Sequence, residues 1–263
     1  MFVRVPGEIP LGGGDVTEGV VRVGDTVRRP VRESTPAVHA LLRHLEEAGF
    51  EGAPRVLGFD ERGREILTYV PGVTALRPMP AFAASDEALA ELARLLRRYH
   101  DVVAGFTPPE GAVWEKVASN DDAAPELIGH CDVTPENVVF RGGSPYALID
   151  FDMARPTTRL FDVVTTLRHW APIAHPADRD AAQRFTYVGP RLRLFCDAYG
   201  LEDRSRLLDL VRLRFERSYE AMRERADVLG GAWARMWADG AGDRILRALD
   251  WFDRNRDRLD AAL

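Results

Sequence analysis

The sequence predicts an α+β fold of two lobes, in which a small antiparallel sheet precedes a mainly helical part. Residues 19–70 contain pairs of β-branched runs separated by glycine turns, a pattern typical of hairpins. From residue 85 onward the apolar residues recur at helical spacing, and a further strand pair interrupts this pattern between 127 and 151. We therefore expect an N-terminal lobe over 1–72 and a C-terminal lobe over 73–263.

Two hairpins and one helix make up the predicted N-terminal lobe. The first hairpin spans 19–29 and turns at Gly24. A helix then begins with Thr35 as its N-cap, followed by a proline suited to the first turn, and it ends at Gly49. The second hairpin spans 55–70. These elements predict a sheet of a few strands with one helix packed on it.

The C-terminal lobe is predicted to be helical around one embedded hairpin. Ser85 is placed to cap its first helix, whose apolar residues repeat through Tyr99. The hairpin comprises the apolar runs 137–140 and 147–149. Four later segments have helical periodicity: 161–170, 183–199, 204–229 and 243–259.

The composition is that of a globular protein, with 46% hydrophobic and 29% charged residues. The net charge of −6 and the absence of a basic block with interleaved aromatics argue against a nucleic-acid partner. No apolar run reaches the roughly 18 residues of a membrane helix, so we expect no membrane partner and a cytoplasmic location. Cys131 and Cys196 are too few for a disulfide framework and are expected to be buried thiols.

The chemistry-bearing stretch is residues 128–152. It places Asp132 and Asn137 on one loop and Asp150 at the end of the next apolar strand. Phosphoryl transfer needs a group that orients the attacking hydroxyl and hard oxygen ligands that hold Mg²⁺ on the nucleotide phosphates. These three side chains can supply both requirements.

The spacing His-x-Asp-x4-Asn from His130, followed by a turn and a strand ending in Asp-Phe-Asp, resembles the catalytic core of the aminoglycoside phosphotransferase family. The resemblance implies a protein-kinase-like fold that uses Mg²⁺ and ATP, with GTP as an open alternative. It makes Asp132 the catalytic base or hydroxyl-orienting group, and Asn137 and Asp150 the magnesium ligands. It gives His130 a loop-bracing role.

Two further acidic residues are interpreted from the same resemblance. Asp162 matches a family residue that braces the catalytic loop. Asp152 could contact a second metal or the substrate, or it could be a structural carboxylate. Both alternatives for Asp152 stay open.

The cation that binds the nucleotide phosphates in the family is usually a lysine on the third strand, paired with a glutamate of the following helix. Lys116 is the only lysine of the chain and lies far from that strand. Alternation along the strand places Arg29 on the same face as Val27, so Arg29 is the favoured replacement and Arg28 the alternative. No glutamate occupies the expected helix positions, where Val38 and His39 are found instead, since Glu33 precedes the helix and Glu46 and Glu47 lie late in it.

The adenine site is expected where the second hairpin leads out of the sheet, at 67–71, with the backbone of Thr68 and Val70 facing the base. Val27, Val56 and Leu67 could enclose the base, although apolar strand residues of this kind are also typical of the core. The glycine run 12–14 could cover the phosphates through its N–H groups, although plain loop flexibility explains it equally well.

These observations predict a phosphotransferase that moves the γ-phosphate of a nucleoside triphosphate to a hydroxyl of a small molecule. An aminoglycoside, another antibiotic, a sugar, an amino alcohol or a metabolite remain open as acceptors, and no acidic cluster indicates a polycation. The alternative is a pseudokinase-like binding protein, suggested by the missing lysine. The sequence does not indicate an oligomeric state.

Overall fold

The computed structural model describes residues 7–11, 19–115 and 120–263. Its strands are β1 Ile9–Pro10, β2 Val21–Val23, β3 Thr26–Arg29, β4 Val56–Phe59, β5 Glu65–Thr68, β6 Val73–Thr74, β7 Leu127–Gly129, β8 Val138–Arg141, β9 Ser144–Leu148 and β10 Arg155–Thr157. Its α-helices are α1 Thr35–Glu47, α2 Asp86–Val103, α3 Arg159–Trp170, α4 Val188–Tyr199, α5 Leu207–Val228, α6 Gly231–Ala238 and α7 Ala241–Asp260. The glycine run 12–14, which could cover the phosphates, lies outside the described residues.

The first sheet has the strand order β1-β2-β3-β5-β4 and is antiparallel throughout. Both predicted N-terminal hairpins are confirmed, and Gly24 turns the first one with a φ of 59° that favours glycine. In the β3–β5 pair, Arg29 lies opposite Glu65 and Val27 lies opposite Leu67. Paired residues share a face, so these four side chains are placed on one side of the sheet.

Helix α1 follows the first hairpin and packs against β4 and α2. Leu41, Leu42 and Leu45 form its fully buried face, and burial of each leucine contributes about 1.5–3 kcal/mol. The predicted N-cap at Thr35 is wrong by one residue. The cap is Ser34, because the Thr35 hydroxyl accepts instead from the Arg32 N–H at 2.9 Å.

The remaining elements form a helical body that holds two small sheets. One sheet pairs β7 with β10, and the other has the order β6-β8-β9. Helix α2 is at the centre and packs against α3, α4 and β9. Its N-cap is Ser85, as predicted, since the Ser85 hydroxyl accepts from the Ala88 N–H at 3.1 Å.

Two helix predictions in this half need correction. The segment predicted at 183–199 becomes helical only at Val188, because Pro190 suits the first turn of a helix and the preceding Phe185 and Tyr187 are exposed. Helix α6 was not predicted. Gly230 and Gly231 both have left-handed φ, which ends α5 and allows a separate short helix to begin.

No helix in the described ranges is long and apolar enough to cross a membrane. A boundary between the lobes near residue 72 remains a proposal. It is supported by β6, which begins at Val73 and pairs with β8 of the helical half.

Candidate functional site

Asp132 and Asn137 lie on the loop between β7 and β8, which ends in one 3-10 turn at Pro135–Asn137. The side-chain N–H₂ of Asn137 donates to the Asp132 carboxylate Oδ2 at 2.9 Å and to the Asp132 backbone oxygen at 3.0 Å. These two bonds fix the carboxylate relative to the loop. They leave Oδ1 of Asp132 and the amide oxygen of Asn137 available for ligands.

Burial, together with the charge of Asp150, raises the pKa of Asp132 to about 7. A carboxylate with a pKa near neutrality can accept a proton and release it again, as a general base requires. The arrangement therefore suits the role predicted for Asp132.

Asp162, at the start of α3, holds the beginning of this loop. Its carboxylate accepts from the backbone N–H groups of His130 and Cys131, both at 2.9 Å, and it lies 3.0 Å from Nε2 of His100. Burial alone would raise the pKa of Asp162, but the His100 contact and these N–H groups outweigh burial and lower it. The predicted bracing contact of Asp162 is confirmed.

His130 is fully buried, and burial lowers its pKa, so the imidazole is neutral. Its Nε2 lies 3.0 Å from the Ile149 carbonyl, which can only accept, so Nε2 carries the proton. The predicted hydrogen bond from His130 to the backbone is confirmed. It ties the loop to the residue before Asp150.

Asp150 follows β9 in a left-handed conformation with φ of 62°, which turns its side chain out of the strand. The Ile149 N–H donates to the Asn137 carbonyl at 2.9 Å, so Asn137 and Asp150 are neighbours across the β8–β9 pair. About one third of the Asp150 side chain is exposed, 34%. Its carboxylate therefore faces the cleft.

The donor set fits magnesium. Asp150 offers a carboxylate and Asn137 an amide oxygen, and Mg²⁺ on a nucleotide is usually held by one or two such groups, with phosphates and waters as the other ligands. Among residues 7–11, 19–115 and 120–263, no group of three or more His, Cys, Asp or Glu side chains could hold a metal ion. Asn137 and Asp150 together offer the one or two protein oxygens that fit a Mg²⁺ ion also held by a nucleotide.

Arg29 extends from β3 to the same point. It is 7% exposed, with Nε at 3.1 Å from Glu65, Nη1 at 3.3 Å from Asp150 and Nη2 in contact with Asp152. Burial alone would lower the pKa of Arg29, but the three carboxylates outweigh it and the pKa is raised. Arg28 lies on the opposite face, 3.9 Å from Asp60.

Glu65 and His39 were missed as members of this network. His39 of α1 lies where a helix glutamate was expected, and its Nε2 is 2.7 Å from the buried Glu65 carboxylate. The carboxylate that pairs with Arg29 therefore comes from β5 and not from the helix. The sequence contained a partial signal, because Glu65 and Leu67 are two residues apart on one strand and must share a face. The pairing of Glu65 with Arg29 depends on the long-range contact of β3 with β5.

The residues predicted to meet the base lie along β3, β5 and the segment after β5. Val27 and Val56 both pair with Leu67, which places the three side chains side by side. The Thr68 N–H is already bonded to the Arg55 carbonyl at 2.9 Å. Among the described residues, no backbone carbonyl accepts a hydrogen bond from the Val70 N–H.

A cleft of about 800 Å³ opens beside these groups, and its lining includes Asp132, Asn137 and Asp150. The predicted base-side residues do not line it, and Arg29 reaches its edge through Asp150 and Asp152. The far wall is formed mainly by α3, α5, α6 and the start of α7. The structure therefore brings Asp132, Asn137 and Asp150 together at one cleft.

Cys131 is 1% exposed and adopts a left-handed φ of 60°. Burial raises the pKa of its thiol to about 12, so the thiolate is essentially absent at neutral pH. Cys131 and Cys196 are both free and buried, as expected.

The amino-acid sequence matches a known protein family. The profile of the phosphotransferase enzyme family matches residues 12–112 and 110–195. The trifolitoxin immunity protein of Rhizobium leguminosarum bv. trifolii is 35% identical over 272 residues, which cover 97% of this chain and 98% of that protein.

Solved structures share the fold at low identity. A choline/ethanolamine kinase family protein from Mesorhizobium loti has a TM-score of 0.58 at 18% identity and covers 97% of this chain and 92% of that chain. The GDP complex of wild-type aminoglycoside 2'-phosphotransferase-IIIa also has a TM-score of 0.58, at 15% identity, with coverage of 97% and 94%. The predicted two-lobed kinase-like fold is thereby confirmed.

Proposed function

We infer that this chain, which belongs to the phosphotransferase enzyme family, transfers the γ-phosphate of a nucleoside triphosphate, ATP in the first instance, to a hydroxyl of a small molecule. The observation that carries the proposal is the joint placement of Asp132, Asn137 and Asp150 at one cleft. A hydroxyl-orienting carboxylate and two metal-binding oxygens are the groups that this reaction requires.

In the proposed reaction, Asp132 accepts the proton of the attacking hydroxyl. The hydroxyl oxygen forms a bond to the γ-phosphorus, the bond from that phosphorus to the β–γ bridging oxygen breaks, and the nucleoside diphosphate leaves. Asn137 holds Oδ2 of Asp132 at 2.9 Å, which leaves Oδ1 to receive the proton. The bracing of the loop by Asp162 supports this role, because positioning supplies much of the rate in phosphoryl transfer.

On the nucleotide side, Asn137 and Asp150 would hold Mg²⁺, which neutralises phosphate charge. Arg29 would contact the phosphates as the replacement for the missing lysine. The position of Arg29 between β3 and Asp150 supports this assignment. A guanidinium can bind phosphate oxygens in a bidentate manner, so the charge role survives the change of residue.

A role in resistance is consistent with one relative. The similar protein from Rhizobium leguminosarum bv. trifolii is named as an immunity protein against trifolitoxin. Transfer of a phosphate adds a charge of about −1.5 to −2, which can abolish the binding of a toxic compound to its target. Expression of the chain in a sensitive bacterium, with an Asp132→Asn control, would test whether the proposed activity protects the cell.

The alternative is a pseudokinase-like protein that binds nucleotide without efficient turnover. The observation that favours it is the arginine in place of the lysine. Against it, Arg29 keeps a buried carboxylate partner in Glu65 at 3.1 Å, so the ion pair is rebuilt with other residues and not lost.

Release of nucleoside diphosphate from ATP and from GTP separates the two functions. The wild type should hydrolyse one of these nucleotides slowly without an acceptor. Asp132→Asn should keep nucleotide affinity and lose about a hundredfold or more in rate. If the wild type binds nucleotide but hydrolyses it no faster than Asp132→Asn does, the pseudokinase alternative is favoured.

A further inference from the structure

Four arginines line the acceptor side of the cleft and are called the arginine cluster here: Arg155, Arg168, Arg214 and Arg225. We propose that the arginine cluster binds an anionic group, a carboxylate or a phosphate, on the acceptor whose hydroxyl faces Asp132. The inference rests on the proposed function and names the class of acceptor. It predicts an anionic acceptor and excludes a polycationic one such as an aminoglycoside.

None of the four guanidinium groups forms an ion pair within the described parts of the chain. Arg168 and Arg214 both donate to the Ser218 hydroxyl, and Arg214 also donates to the Thr165 hydroxyl at 2.9 Å. The convergence of two like charges on one hydroxyl is unfavourable unless an anion is nearby. The hydrogen-bond partners of Arg168 and Arg214 are neutral, and the carboxylate that acts on both from a distance is Asp132, the proposed base.

Arg155 and Arg225 also form no ion pair among the described residues, although Glu115 and Asp132 act on Arg225 from a distance. Arg155 is 4% exposed and donates only to neutral oxygens, those of Asn120 at 3.0 Å and Met153 at 3.1 Å. Arg225 lies over the ring of Trp233 at 4.2 Å. Nη2 of each is buried without a hydrogen-bond partner among the described residues. Unpartnered buried donors at a ligand cleft indicate a ligand that supplies acceptors.

The effect of burial on these groups agrees with this assignment. Burial, together with the charges of Arg168 and Arg155, lowers the pKa of Arg214 to about 9. Burial lowers the pKa of Arg168 and of Arg225 to about 10. All three remain charged at neutral pH, and their mutual repulsion would be relieved by a bound anion.

Most carboxylates of the cleft already have a proposed role, and the others are too few to neutralise the arginine cluster. Asp132, Asp150 and Asp152 belong to the proposed base, metal and Arg29 groups. Outside this set, the described lining contains two carboxylates, Glu115 and Glu136. The acceptor side is therefore net positive.

The arginine cluster could instead bind a phosphate group of the nucleotide. The nucleotide site is therefore filled before phosphate binding is measured. The protein is saturated with Mg²⁺ and the imido analogue of ATP or GTP, whichever it binds, so that the γ-phosphate position is occupied. Inorganic phosphate is then titrated in by calorimetry. We expect saturable binding to the wild type, weakened about tenfold or more by Arg168→Gln and by Arg225→Gln.

Arg223→Gln is the matched control, because Arg223 is exposed on the same helix, α5. Phosphate affinity should be unchanged in this variant, and Arg168→Lys should recover part of the affinity because the charge returns. Circular dichroism melting shows which variants are folded. Arg225 is the more peripheral of the two targets, so it keeps the test valid if Arg168→Gln does not fold.

A second assay compares nucleoside diphosphate release with glycerate, glycerol 3-phosphate, glycerol and kanamycin. The two anionic compounds should stimulate release more than glycerol, and kanamycin should not stimulate it.

If the wild type binds the nucleotide analogue normally but does not bind phosphate, the arginine-cluster assignment is overturned and the proposed function stands. If the wild type does not bind phosphate and Arg168→Gln binds the nucleotide analogue more weakly than the wild type, the arginine cluster binds the nucleotide and not the acceptor. Failure of the wild type to bind either analogue would remove the proposed function and this inference together.

Discussion

At the scale of single residues, Arg29 joins the sheet to the proposed metal site. Its guanidinium is shared by Glu65, Asp150 and Asp152. Arg29→Ala should therefore weaken MgATP binding by about ten- to hundredfold and lower the free energy of unfolding by about 3 kcal/mol, since the buried Glu65 carboxylate and the partly buried Asp150 and Asp152 lose a cationic partner. Calorimetry and urea denaturation measure the two effects.

Arg28→Ala is the matched control for Arg29. Arg28 has a long contact of 3.9 Å with Asp60 on the other face of the sheet, so nucleotide affinity should change by less than about threefold. Arg29→Lys should restore part of the binding, because it returns the charge without the bidentate geometry. Equal and negligible effects at both arginines would show that neither replaces the lysine.

Cys131 is the residue beside the proposed base, and its left-handed φ of 60° is a conformation that suits glycine. Cys131→Gly should change the free energy of unfolding by no more than about 1 kcal/mol, because relief of backbone strain offsets the lost burial. It should keep most of the phosphoryl transfer.

The thiol of Cys131 should also resist iodoacetamide at pH 8, because its pKa of about 12 leaves almost no thiolate and the side chain is buried. Mass spectrometry of the native protein measures this directly. Rapid alkylation, or loss of transfer in a folded Cys131→Gly protein, would require a mechanism in which the cysteine takes part.

At the scale of elements, Asp162 connects α3 and α2 to the proposed catalytic loop. Asp162→Ala removes the acceptor for His130, Cys131 and His100, and should lower the free energy of unfolding by about 3 kcal/mol or more. The exposed Asp227→Ala should stay within about 0.5 kcal/mol of the wild type. A small effect at Asp162 in urea denaturation would contradict the bracing role.

Asp162 also determines a pH dependence. Its pKa in the folded state is lowered from 3.8, so its contribution to stability is fully present above that value. The contribution is lost as pH falls through the lower folded pKa. Between pH 7 and pH 3, the wild type should therefore lose more stability than Asp162→Asn, which has no charge to lose.

The grouping of the three proposed site residues was predictable because the contacts between the elements that carry them are local in sequence. Asp132, Asn137 and Asp150 lie within one loop and one hairpin, and the pairing of β8 with β9 alone brings them together. Glu65 and His39 depend on the long-range pairing of β3 with β5 and on the packing of α1. No local pattern connects a strand glutamate to a helix histidine, so reasoning from a helix position failed there.

At the scale of the whole molecule, the order of sheet, helix and embedded hairpin was sufficient to predict the fold. The charge of the acceptor side was not predictable. Its four arginines come from β10, α3 and α5, and only the packing of these elements turns them toward one cleft. A sequence with a net charge of −6 therefore contains a positive site that composition conceals.

The central claim is that Asp150 and Asn137 hold a magnesium nucleotide beside Asp132. Calorimetric titration of ATP and GTP, with and without Mg²⁺, into the wild type and Asp150→Ala tests it most directly. We expect magnesium-dependent binding of at least one nucleotide by the wild type, and affinity at least about tenfold weaker in folded Asp150→Ala. Equal affinity with and without Mg²⁺, or unchanged affinity and turnover in Asp150→Ala, would contradict the site.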